Sequence, residues 1–203
     1  MFRLCMSDVG QRIVMPKLLD HLRTAAPNVR IDVSYPSELT GHLLESGEVD
    51  LAIGFLAQLE AGYFHQSLFK DRFVCIINRQ HPRLRRSKIT LEQFQSESHL
   101  IVATQGTGHF VVEQTLERLG IRRKMGLRIP NFLGVVSTIA STEYLAIVPE
   151  RFARIIANSN PIKVVELPFD VPSYRVMQHW HERYAKDPAV TWMRNTISTL
   201  FRE

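Results

Sequence analysis

The chain has 203 residues, 45% hydrophobic and 22% charged, enough to bury one large core or two small ones, and nothing in it has the composition of a disordered segment. Its apolar runs are too short to span a bilayer, and MFRLCMSDVGQRIV lacks the features of a secretory signal, so a cytoplasmic protein with no membrane attachment is expected. The net charge of +5 suits an anionic partner, but Arg83-Leu84-Arg85-Arg86-Ser87-Lys88 and Arg122-Arg123-Lys124 lie beside turns, as solvated loops do, rather than along a nucleic-acid-binding stripe.

Arg3 to Met6 is a short apolar strand stopped by Ser7-Asp8-Val9-Gly10. A helix follows with Leu18, Leu19, Leu22, Ala25 and Ala26 on one face; Pro16 is expected in its first turn, where a missing N–H costs little, and Pro27 ends it. Val29 to Tyr35 alternates as a strand, Ser37 is placed to cap a helix through Leu39, Leu43 and Leu44 to Gly47, and Asp50 to Phe55 is a buried strand. This β-α-β-α-β order demands a parallel sheet with helical crossovers.

Arg72 to Asn78 is the next strong strand, followed by a polar connection and a short helix around Leu91 to Phe94. A strand from His99 to Ala103 ends in Thr104-Gln105-Gly106-Thr107-Gly108, and a helix through Val111, Val112, Thr115, Leu116 and Leu119 closes at Gly120. The alternation continues with a strand from Lys124 to Ile129, a helix from Phe132 to Ala140 and a strand from Tyr144 to Val148. A helix from Glu150 to Ala157, strands from Ile162 to Leu167 and Ser173 to Trp180, and a helix from Pro188 to Phe201 complete the chain. Cys5 and Cys75 lie inside apolar runs and fit buried thiols better than a disulfide or a metal site.

The expected fold class is α/β, in two βα-repeating blocks: residues 1–71, residues 72–175, and a return of residues 176–203 to the first block. Two crossing strands would then join the blocks and act as a hinge. No internal repeat is strong enough to indicate duplication.

Certain segments, in this order and spacing, resemble the effector-binding domain of LysR-type transcriptional regulators. They are Ser7-Asp8-Val9-Gly10 after the first strand, Ser46-Gly47-Glu48-Val49-Asp50-Leu51-Ala52-Ile53-Gly54, His81-Pro82, and Leu145-Ala146-Ile147-Val148-Pro149 before a helix. Phe73-Val74-Cys75, Gly106-Thr107-Gly108-His109, Val148-Pro149-Glu150-Arg151-Phe152-Ala153 and Trp180-His181-Glu182-Arg183-Tyr184 resemble the branch controlling degradation of naphthalene, salicylate, nitrotoluene and chlorinated aromatics. The resemblance implies two Rossmann-like subdomains of the type 2 periplasmic-binding-protein kind, an effector held between them, and no catalysis or cofactor. It also implies a homodimer or homotetramer and a winged helix-turn-helix for DNA. That segment lies outside these 203 residues, so this chain by itself is not expected to read DNA.

In open α/β sheets ligands bind beyond the carboxyl ends of the strands, where helix starts converge. Ser7 and Asp8 follow the first strand; Asp8, awkward beside an anion, is better suited to capping the helix or orienting a hydroxyl. Gly106, Thr107 and Gly108 precede another helix and suit a carboxylate, although a tight turn capped by Thr107 fits the same residues. His109 is a candidate charge-assisted donor, Arg72 a candidate bidentate partner for a carboxylate, and Val176 lies near it on the return strand. Val14, Phe55 and Phe132 are candidate apolar walls for an aromatic ring. Asn131 stands where members of the branch often carry histidine, and Val14 where an aromatic is common, so the chain departs from the branch at two candidate site positions.

Three rivals carry less. Ser7, Asp8 and His109 evoke a hydrolytic triad, but no GxSxG elbow is present. His179 and His181 share a strand face without a third metal ligand at a persuasive spacing, and Trp180 between them points to the opposite face. A solute-binding protein of a transport system would have the same fold.

Overall fold

The computed structural model describes residues 1–59, 61–103 and 108–202. The chain divides into two compact units. Unit 1 takes Met1–Lys70 and Tyr174–Glu203 together with Gly108, and unit 2 takes Asp71–Thr104 and His109–Ser173.

Unit 1 is built on a five-stranded sheet in the order β2-β1-β3-β10-β4, formed by β1 (Phe2–Met6), β2 (Ile31–Ser34), β3 (Leu51–Gly54), β4 (Tyr63–Asp71) and β10 (Tyr174–His181). β1 pairs in parallel with β2 and β3, as the alternation demanded, and β10 returns antiparallel to β3 with Met177 opposite Gly54. α1 (Asp8–Ala25) and α7 (Pro188–Phe201) bury Val14, Leu18, Leu22, Val190, Met193 and Ile197 against Leu4, Met6, Leu51 and Ile53. α2 (Thr40–Ser46) places Leu44 in a smaller cluster with Cys5, Ala52 and Leu56.

Unit 2 repeats this plan with other segments. Its sheet runs β7-β6-β8-β5-β9, formed by β5 (Phe73–Asn78), β6 (Ser98–Val102), β7 (Lys124–Ile129), β8 (Leu145–Pro149) and β9 (Ile162–Val165). β6 pairs in parallel with β7 and β8, and β5 runs antiparallel between β8 and β9. β5 and β8 are covered on both faces, which explains why FVCIIN and LAIVP are nearly continuous apolar runs. Among the described residues this unit also carries α3 (Leu91–Ser96), α4 (His109–Arg118), α5 (Val135–Ser141) and α6 (Glu150–Ala157), of which α5 and α6 pack against β5, β8 and β9.

Three sequence expectations are corrected. Pro16 lies inside α1, because Ser7 caps that helix with its Oγ accepting the Gly10 N–H at 3.2 Å, so the first turn begins at Asp8. Ser37 does not cap α2 directly; Ser37 Oγ accepts the Leu39 N–H, Thr40 Oγ1 accepts the Ser37 N–H, and the helix starts only at Thr40. The crossing out of unit 1 is not a strand starting at Arg72 but the earlier β4, whose polar His65, Gln66 and Ser67 hid its alternation.

Candidate functional site

The carboxyl ends of the parallel strands define one edge of each sheet. In unit 1 that edge holds the end of β1 at Met6, the end of β3 at Gly54 and the start of the antiparallel β10 at Tyr174. Ser7 sits at the first position, buried and committed to capping α1, and Asp8 Oδ1 accepts the Val9 N–H at 3.1 Å. Phe55 follows β3, and its ring meets that of Tyr174 edge to face at 5.9 Å between centroids. Gly108 has a φ of 72°, and a Cβ there would lie 3.3 Å from the Tyr174 ring, so both backbone conformation and space favour glycine. Val176 is half-buried against the unit 1 core.

Val14 is fully buried in that core, packed among the side chains that join α1 to the sheet. Its expected place as a wall for an aromatic ring is therefore corrected: it faces the α1–sheet packing. Gly106 and Thr107 lie outside the described residues.

In unit 2 the corresponding edge holds the ends of β6 at Val102, β7 at Ile129 and β8 at Pro149. His109, at the start of α4, turns inward: its ring is buried, lies 4.9 Å from that of Phe73 and 5.4 Å from that of Phe132, and its Nε2 bonds the Ile147 carbonyl at 3.0 Å. Burial pulls its pKa down to about 4, against the Ile147 carbonyl, which favours the protonated ring. The expectation of a charged donor is corrected: near neutral pH this ring is neutral, and Nε2–H donates to the carbonyl. Phe132 is buried and also meets Phe152 edge to face. Asn131 Oδ1 accepts the Leu133 N–H at 3.1 Å, an Asx turn that delays α5 until Val135.

Arg72 is already paired. Nε and Nη2 donate to the two Glu150 oxygens at 2.7 and 2.9 Å, and Nη1 and Nη2 donate to the two Glu166 oxygens at 2.6 and 2.9 Å. The guanidinium holds both carboxyls below their ordinary range. A free fork for an effector carboxylate is thus not what this residue offers; it ties the start of β5 to α6 and to the chain just beyond β9.

The remaining rivals fare no better. Ser7 Oγ and His109 Nε2 are engaged with backbone groups, which leaves the triad without its relay. Trp180 packs in the unit 1 core, while His179 and His181 on the other strand face meet the rings of His65 and Tyr63. Among the described residues no group of three or more His, Cys, Asp or Glu side chains is placed to hold a metal ion. No described helix is long and apolar enough to cross a membrane. Of the basic groups, Arg83 pairs with Glu97 and Glu143, and Arg123 with Glu113.

Sequence reasoning missed two edge residues. Tyr174 was visible as the first aromatic of the late strand, but its neighbour Phe55 lies 119 positions away in sequence. Asp71, the last residue of β4, was hidden because β4 itself was.

Comparison with known proteins gives the same architecture a lineage. The pattern of the LysR substrate binding domain matches residues 1–202. The chain is 36% identical over 205 residues to the HTH-type transcriptional activator NagR of a Ralstonia species, and 36% identical over 203 residues to the HTH-type transcriptional activator NahR of Pseudomonas putida. Each alignment covers 100% of this chain and 67% of the relative. Among solved structures, the regulatory domain of MexT, a transcriptional activator in Pseudomonas aeruginosa, superimposes with a TM-score of 0.85 at 26% identity, covering 98% of both chains. The two mixed sheets are thus those of the periplasmic-binding-protein-like fold. The chain belongs to the LysR substrate-binding domain family, the effector-binding part of LysR-type transcriptional regulators.

Proposed function

We propose that this domain binds a small aromatic acid or related aromatic effector at the strand-end residues described above, and that binding controls transcription through an attached DNA-binding domain. The observation that carries this is the strand-end edge of unit 1, where Phe55 and Tyr174 set an aromatic pair beside the polar start of α1. Aromatic side chains with a few placed polar groups are what a ring bearing an acid group needs. The net charge of +5 favours arrival of an anion.

The switch requires that the effector prefer one conformational state of the domain over another, since equal affinity for both shifts nothing. The crossings between the units, at Asp71 and Tyr174, are the proposed hinge. A homodimer or homotetramer would couple the domains to DNA. A transport role is disfavoured because the relatives are transcriptional regulators.

A thermal-shift panel of benzoates, salicylates, chlorophenols and nitroaromatics tests the proposal. A ligand that binds only the folded state raises the melting temperature. The expected result is a concentration-dependent rise with at least one aromatic acid; no rise with any member of the panel overturns the aromatic effector.

A further inference from the structure

β4 and β10 are neighbours in the sheet of unit 1, and their side chains meet in step. The ring of Tyr63 faces His181, Phe64 faces Trp180 and His65 faces His179, while Gln66 Oε1 accepts a hydrogen bond from Gln178 Nε2 at 2.8 Å. Each step along β4 is matched by one step back along β10, so the strands run antiparallel. The pleat then puts Tyr63, His65, His179 and His181 on one face of the sheet.

His179 is the unusual member of this face. Only 2% of it is exposed, yet neither ring nitrogen makes a hydrogen bond of proper geometry. Folded proteins leave few buried polar atoms in that state, because each has given up its hydration without return. Its neighbours on the face offer little. Ala52, opposite it on β3, presents a methyl group, and Met177, two residues back on the same strand, a thioether. His181 spends Nδ1 on the Arg183 N–H at 3.2 Å. That leaves His65, an exposed side chain whose ring centroid lies 6.0 Å from that of His179.

We propose that His65 and His179 bind one divalent transition-metal ion of the copper–zinc class, each through a ring nitrogen, and that the ion clamps β4 to β10. Imidazole suits these metals, and cross-strand neighbours bring two imidazoles together without any further folding. At metal–nitrogen distances of about 2.0–2.1 Å, two rings on one ion have centroids about 5 Å apart at a tetrahedral angle and about 6 Å apart when they stand nearly opposite. The observed spacing falls in that range, and the exposed His65 side chain is free to turn.

Burial and the neighbouring His65 draw the His179 pKa down to about 4, against a weaker pull from the Gly54 backbone. Near pH 7 the ring is therefore neutral and its lone pair is available, as a metal ligand requires. Two protein ligands, with no third among the described residues, make the site open and exchangeable rather than structural, and water completes the coordination. β4 is an edge strand whose one sheet neighbour is β10, so the clamp acts where the sheet has least support. The site lies wholly inside unit 1 and is independent of the effector reading.

Cu2+ titration of the untagged protein, followed by calorimetry and electron paramagnetic resonance, tests this with His65→Ala, His179→Gln and His42→Ala. His42, exposed and 3.8 Å from Glu45, is the surface control. The wild-type protein is expected to bind one equivalent of Cu2+ with two nitrogen ligands in the spectrum. His65→Ala should weaken binding by about tenfold or more and remove one of those nitrogens, since losing a ligand costs at least as much as losing the group that orients one. His179→Gln should do the same, and His42→Ala should match the wild type. Zn2+ should raise the melting temperature of the wild-type protein more than that of His65→Ala, and Mg2+, which prefers oxygen ligands, should raise neither. Because His65 is exposed, His65→Ala keeps the fold and decides the matter even if the buried His179 variant unfolds. Failure of the wild-type protein to bind Cu2+, equal affinity and spectra in His65→Ala, or a loss of binding in His42→Ala overturns the site.

Discussion

Arg72 and His109 carry formal chemistry that their surroundings rewrite. The sequence shows a guanidinium beside a strand and an imidazole at a helix start, and both suit an anion. It does not show that Glu150 and Glu166, 78 and 94 positions further on, occupy the guanidinium, nor that Ile147 holds the ring. Arg72→Ala should therefore act first on stability. Removing both forks is expected to lower the unfolding free energy by about 1–2 kcal/mol, given the partial exposure of the cluster, and by less at high salt. Urea unfolding at two ionic strengths measures this. Phe94 is the opposite case, a fully buried ring edge-on to both His99 and Phe169. Phe94→Ala should cost about 3–5 kcal/mol in the same measurement, because the cavity left behind cannot close.

The elements were legible where pattern and punctuation agree. α6, α7 and β7 begin and end where periodicity and Pro188 place them. Asp187 strengthens α7 by accepting the Ala189 and Val190 N–H groups at 2.9 Å each, so Asp187→Ala should cost about 1 kcal/mol, read from the shift in denaturation midpoint. α1 went wrong at Pro16, since a proline is taken as a start signal when its cap lies two turns upstream at Ser7. Pro16 is exposed and removes one helix hydrogen bond, so Pro16→Ala should raise the thermal midpoint, by an amount equivalent to about 1 kcal/mol or more. A lower midpoint would mean that the interruption is required for packing α1 on the sheet. β4 was missed because its central residues are polar and its edge position removes the demand for apolar alternation on both faces.

For the molecule as a whole, the buried histidines set the response to acid. His99, His109 and His179 are each drawn down to about 4 by burial. Their unfolded counterparts take up protons near 6.5, so the unfolded chain binds more protons between about 4 and 6.5. Stability is complete above that window and is lost as pH falls through it. Asp71, with its pKa raised to about 6, works in the opposite direction by binding its proton in the folded state first. Three protons against one leave a net loss, at about 1.4 kcal/mol per pH unit for each excess proton. Melting temperatures from pH 7.5 down to about 4.5 should therefore fall steadily; a flat profile would show that these rings are not buried neutral.

By itself the sequence determined the local elements, the parallel order within each unit, and membership in a family, because periodicity, turn residues and short motifs are properties of neighbouring residues. It could not determine which distant groups meet. The repeated plan of the two sheets, 2-1-3 with an antiparallel strand beside it, is invisible as a sequence repeat because β5 enters from before its block and β10 from after. Whether Arg72 is free, His109 charged or Asp71 partnered depends on contacts that only the folded chain brings within hydrogen-bond reach, and tertiary structure alone decided them.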